Sequence, residues 1–172
     1  MASLMENLID ILNEQYDAYS ALVELSKKKT PIIVSGSLEE LQKITDDEQL
    51  AVDKVNNIDK KRLEIMGDIA NVLNREEKDL KISDLISLIN TRPEEQTKLE
   101  EAREKLIIVG KELKIVNERN KELVENALEM IDFDLNLIQA MKQAPQMGNY
   151  NQSGINTGEV YGTNLKGFDT KQ

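Results

Sequence analysis

The chain has 172 residues, 40% hydrophobic and 31% charged, with only 3% aromatic and no Trp. That suits one domain whose core is Leu, Ile, Val, Ala and Met packed helix on helix. No His and no Cys are present, which excludes thiol nucleophiles, Ser-His-Asp arrangements, His- or Cys-ligated zinc, di-iron Glu-x-x-His pairs and disulfides.

The formal net charge of −10 repels phosphate backbones and anionic lipids, so nucleic acid and membrane surfaces are poor partners. Solubility alone accounts for such a surplus. No apolar run approaches the roughly 18 residues of a bilayer span. MASLMENLID has no basic leader, so neither membrane insertion nor a signal peptide is expected, and a cytoplasmic location is.

The first periodic segment runs from Ser3 to Lys29. Ser3-Leu4-Met5-Glu6 reads as a capping box. Two rows follow: Leu4, Leu8, Ile11, Gln15, Ala18, Leu22, Leu25, and Met5, Ile9, Leu12, Tyr16, Tyr19, Val23. Rows one residue apart stand about 100° apart on a helix, so this stripe is broad enough to meet more than one neighbour. Thr30-Pro31 is expected to break or kink the helix, leaving Ile32 to Val34 as a short apolar turn. Ser35-Gly36 punctuates, and Ser37-Leu38-Glu39-Glu40 is a second capping box.

From Leu38 a row runs through Leu41, Ile44, Glu48, Ala51, Val55, Ile58, Arg62, Ile65, Ile69 and Val72, a second helix of about 37 residues. Glu48 and Arg62 lie too far apart to pair, ~21 Å along the helix. Each is expected to answer a charge on another helix. Asn74 to Lys81 reads as a loop, and Ile82 to Ile89 as a short helix capped by Ser83. Pro93, followed by Glu94 and Glu95, suits the first turn of a last helix.

That helix carries the seam Leu99, Ala102, Leu106, Val109, Leu113, Val116, Asn120, Leu123, Ala127, Met130, Asp134, Leu137, Met141. Eleven of its thirteen positions are apolar, the 3.5-residue period of long antiparallel helices. Asn120 and Asp134 either fix register inside the seam or lie at its exposed ends. The adjacent row is mostly polar through Glu100, Arg103, Ile107, Gly110, Lys114, Asn117 and Lys121. It then becomes wholly apolar as Val124, Leu128, Ile131, Leu135 and Ile138, and Phe133 adds a further contact.

A neighbour on one side cannot cover so wide a stripe. Either the broad face of the first helix closes over it as a three-helix bundle, or part of it receives a foreign amphipathic helix. The partner-binding candidates are Val124, Leu128, Ile131, Phe133, Leu135 and Ile138.

After Ala144 the composition changes. Pro145 to Gln172 holds five of the eight glycines, with scattered Tyr150, Tyr161 and Phe168. Residues 1–143 are therefore expected as a helical domain and 144–172 as a flexible tail. Gly154, Gly158 and Gly162 recur every four residues without an apolar or phosphate-binding context. Asp46-Asp47-Glu48 lacks calcium-loop spacing and reads as a solvated face. Glu129, Asp132 and Asp134 have no sign of a pocket around them, so paired-carboxylate catalysis is not expected. The chain is expected to need no catalytic residues, cofactor or metal.

The residue order resembles a known family. LIDILNEQYDAYSALVELSKKK, IIVSGSLEELQKI, DDEQLAVDKVNNIDKKRLEIM, ISDLISLI and VNERNKELVENALEMI precede a Gly/Asn/Tyr-rich tail ending GFDTKQ. Its marks are Glu14, Gly36 before Leu38-x-x-Leu41, Glu48-Gln49, Arg62, and Asn117-x-x-Asn120 followed by Leu123. Together they resemble FlgN, the flagellar export chaperone for hook–filament junction proteins, over essentially the whole chain.

The resemblance implies cytosolic binding of the C-terminal segments of hook-associated junction proteins and their delivery to the flagellar type III export gate. It places client contacts towards the C-terminal helix. Tyr150, Tyr161 and Phe168 become candidates for gate docking or for shielding the groove. The expected fold is all-α, an elongated antiparallel bundle of three long helices plus a short one, monomeric or weakly dimeric. The competing reading is a coiled-coil scaffold without a client.

Overall fold

The computed structural model describes residues 2–77 and 80–143. Four helices carry them, α1 Ala2–Ser35, α2 Leu38–Val72, α3 Ile82–Leu88 and α4 Pro93–Gln143, with no strand among the described residues. The chain divides into two units, Met1–Glu129 and Met130–Gln172, and the hydrophobic core lies in the first. The segment 144–172, with Tyr150, Tyr161 and Phe168, lies outside the described residues.

Both apolar rows of α1 face inward. Leu8, Ile11, Ala18 and Leu22 of one row and Met5, Ile9, Leu12 and Val23 of the other are buried, as a two-sided stripe requires. Met5, Leu8, Ile9, Ile11, Leu12 and Ala18 form one core with Val55, Ile58, Met66 and Ile69 of α2, Leu85 of α3, and Leu99 and Ala102 of α4. Gln15 of α1 donates to Asp59 of α2, and Ser26 and Lys29 of α1 donate to Glu48. Later residues of α1 thus meet earlier residues of α2, so the two helices run antiparallel.

The ends of the helices correct several local expectations. The first helix begins at Ala2, which puts Ser3 inside it instead of at its cap. Pro31 does not break the helix; α1 continues through it to Ser35, taking Ile32 to Val34 into its last turn. Gly36 ends it with a left-handed φ of 71°. Its N–H donates to the Ile32 and Ile33 carbonyls, each at 3.2 Å. Glycine takes that conformation without a Cβ penalty, whereas proline removes only one donor.

Ser37 caps α2 as expected, its hydroxyl accepting from the Glu40 N–H at 3.4 Å. Ser83 does not cap α3. That helix starts after Lys81, whose N–H donates to the Asp84 carboxylate at 3.0 Å. Arg92 and Pro93 open α4, the Gln96 N–H reaching the Arg92 carbonyl at 3.0 Å.

The two charges of the α2 row behave differently. Glu48 answers Lys29 of α1 at 2.7 Å. Arg62, expected to reach another helix, instead pairs with Asp59 one turn back on α2 at 2.8 Å. A closer partner was available along the same face.

Candidate functional site

The seam of α4 is buried early and comes to the surface late. Leu99, Ala102, Val109 and Asn120 are buried, and Leu106, Leu113, Val116, Leu123 and Ala127 are half-buried. Asn120, at 6% exposure, is a deeply placed polar group. Its Nδ2 donates to the Ser26 carbonyl of α1 at 2.8 Å, and its Oδ1 accepts from the Thr30 hydroxyl at 2.6 Å. Among the described residues no buried side-chain polar atom lacks a partner, as a low-dielectric interior demands.

Of the partner-binding candidates, Val124 and Leu128 belong to the first unit. Val124 is half-buried and lines the same groove as Ile33 of α1. Leu128, one turn on, is 56% exposed. α1 ends at Ser35, soon after Ile33. It has no side chain left to lay over Leu128.

The remaining candidates belong to the second unit, in which every described residue, Met130 to Gln143, is exposed. Ile131, Phe133, Leu135 and Ile138 are 52%, 67%, 52% and 48% accessible. Steps of four and three place Ile131, Leu135 and Ile138 on one face. Met130, Phe133, Leu137 and Met141 follow the same stepping on a second face about 100° away. These two rows give an apolar arc of roughly 200°, with the exposed Asp134 carboxylate between them. Met130, Leu137 and Met141, which continue the heptad seam of the sequence, are exposed.

A second feature was not anticipated. In the first unit, a groove of about 660 Å³ is lined by Leu12 and Tyr19 of α1, Val55 and Asp59 of α2, and Leu106 and Leu113 of α4, among others. A further groove of about 510 Å³ shares Asn117 with it and is lined by Leu22, Ile33, Val52 and Val124. The α4 side is the mostly polar row of the sequence, with Arg103, Gly110, Lys114, Asn117 and Lys121. The polar row by itself does not reveal the groove, because the groove is assembled from several helices, two of them remote from α4 in sequence.

In an acidic chain the larger groove is basic: Arg62 is paired with Asp59, which leaves Arg103 and Lys114, the latter 3.9 Å from Glu118 outside the groove lining. On another side of α1, Lys27 bridges to Glu112 of α4 at 2.6 Å. The hydrogen bond that Lys27 donates to Glu112 holds the ammonium pKa above its ordinary value.

Other acidic residues have nearby partners. Asp46 accepts from Gln42 at 2.9 Å, and Glu48 is taken by Lys29 and Ser26. Among the described residues no helix is long and apolar enough to cross a membrane. No group of three or more acidic side chains there is placed to hold a metal ion. Among the described residues the arrangement offers surfaces for binding.

A family model described as FlgN protein matches residues 1–158 of the chain. No curated protein and no solved structure matches it.

Proposed function

The chain belongs to the FlgN family of flagellar export chaperones, and from that premise we propose that it binds the C-terminal helical segments of hook-associated junction proteins. In this reading it works in the cytoplasm, keeps its clients from aggregating, and hands them to the flagellar type III export gate without catalysing any reaction. The observation that carries the reading is the open apolar arc of α4, on which Ile131, Leu135 and Ile138 are each about half exposed or more.

Val124, Leu128 and Phe133 complete the proposed contact set. A client helix laid on such a surface uses anchors at steps of three and four. Each fully buried aliphatic side chain contributes roughly 1.5–3 kcal/mol, less the ordering cost of association. Asp134, set within the arc, favours clients that bring a cation or an N–H donor to that point. Residues 1–143 are proposed as the working domain and 144–172 as an accessory tail, with Tyr150, Tyr161 and Phe168 as gate-docking candidates.

The test is co-purification of a junction protein with the triple variant I131S/L135S/I138S. Capture is lost while the helical circular dichroism signal stays. Retained capture refutes the site. A client-free scaffold instead predicts no capture by the unaltered chain.

A further inference from the structure

Each copy of this chain carries an acidic, apolar helix end and a basic, partly apolar groove. We infer that, without a client, the end of α4 of one copy docks in the groove of a second copy, and reciprocally, giving a dimer. Three observations converge on this occupant.

The first is charge. The docking segment carries Asp132 and Asp134, and the larger groove, besides the Arg62–Asp59 ion pair, is lined by Arg103 and Lys114. Asp134 sits inside the apolar arc, so whatever covers that arc must answer a carboxylate at its centre. Otherwise an unpaired charge loses its water. A groove that alternates basic and aliphatic residues along α4 meets both demands. Arg103 and Lys114 supply cations, and Leu106, Ile107 and Leu113 supply apolar contact.

The second is length. Met130 to Met141 span ~18 Å of helix, and the α4 side of the joined grooves, Arg103 to Val124, spans ~32 Å. The segment therefore fits along the groove with room to spare. The third is Gly110, which lines the groove and whose hydrogen faces open space: a Cβ built there meets nothing within 4 Å. A helical glycine with free room above it admits a close-lying second helix.

A bound client and a second copy would use the same end of α4, so the two exclude each other. Client capture and self-association are nevertheless measured separately, so either proposal can fail alone.

The experiment is sedimentation equilibrium of the full chain without client across the micromolar range. The expected result is a dimer whose dissociation constant rises about tenfold or more from low to high salt, since the paired charges are screened. The groove variant R103E/K114E and the end variant D132K/D134K are each monomeric. Their equimolar mixture restores the dimer, because groove and end are then complementary at both contacts. Restoration also demonstrates that both variants are folded. A wild-type chain that stays monomeric, or single variants that dimerise as wild type does, overturns the inference. Should both variants misfold, a wild-type dimer indifferent to salt overturns it equally.

Discussion

Asn120 of α4 donates its amide to the main-chain carbonyl of Ser26 in α1 at 2.8 Å, across ninety-four positions of sequence. The same carbonyl lies beside the turn in which Pro31 leaves Lys27 without its helical donor. Thr30 completes the cluster by donating to Asn120 at 2.6 Å. A seam that is otherwise aliphatic is thereby held in one register, the use to which a buried polar residue is put in coiled coils.

Replacing Asn120 by Leu leaves the Thr30 hydroxyl and the Ser26 carbonyl without this partner in a buried place. The expected loss is about 1–3 kcal/mol, read as a lower urea midpoint with an unchanged slope. Asn120→Asp costs more, since a carboxylate then faces the carbonyl it used to serve. A neutral result for both variants denies the cluster any part in register.

The Glu48 site should respond asymmetrically. Glu48 accepts from Lys29 at 2.7 Å and from Ser26 at 3.0 Å, and both ionic side chains are under a quarter exposed. Glu48→Ala strands both donors and is expected to cost about 1.5–3 kcal/mol. Lys29→Met leaves Glu48 with Ser26 and costs less. Thermal melts of the two variants decide the order, and equal losses contradict it.

Gly110→Ala is expected to stabilise the monomer by about 0.5–1 kcal/mol, because alanine is the better helix former and its methyl group meets no atom of the same chain within 4 Å. A lower melting temperature argues against the open space at that point of α4.

Core and surface aliphatics separate cleanly. Leu12 is fully buried, and Leu12→Ala is expected to cost about 2–5 kcal/mol. Leu135→Ser, at a side chain 52% exposed in the single chain, is expected to stay within about 0.5 kcal/mol of wild type when both are measured as monomers, dilute and at high salt. A large destabilisation by Leu135→Ser under those conditions means that this face is covered within the monomer.

The Lys27–Glu112 bridge gives a pH signature at the alkaline end. Hydrogen bonding to Glu112 raises the Lys27 pKa above the ordinary 10.5. Its contribution is therefore full below that unfolded value and fades as pH rises through the folded one. The stability difference between wild type and Lys27→Met is expected to be flat through neutral pH and to shrink at strongly alkaline pH. Both side chains are about half exposed, so the difference is small and salt-sensitive. A difference that grows with pH reverses the sign and rules out the bridge as its source.

By itself the sequence determined the helices and the apolar rows. Three- and four-residue spacing set both faces of α1, the row of α2, and the seam of α4 as far as Ala127, because a helix repeats every 3.6 residues whatever surrounds it. The widening after Val124 was legible for the same reason. Which neighbour covers a row was not, since that depends on register between helices far apart in the chain. Only the tertiary structure decided that α1 stops at Ser35 and leaves Leu128 uncovered. Only it turned Met130, Leu137 and Met141 from seam residues into surface, paired Arg62 with Asp59, and made a basic groove from the polar row of α4. Periodicity reports which side of a helix avoids water; contact reports what that side meets, and a one-dimensional pattern carries no record of the second.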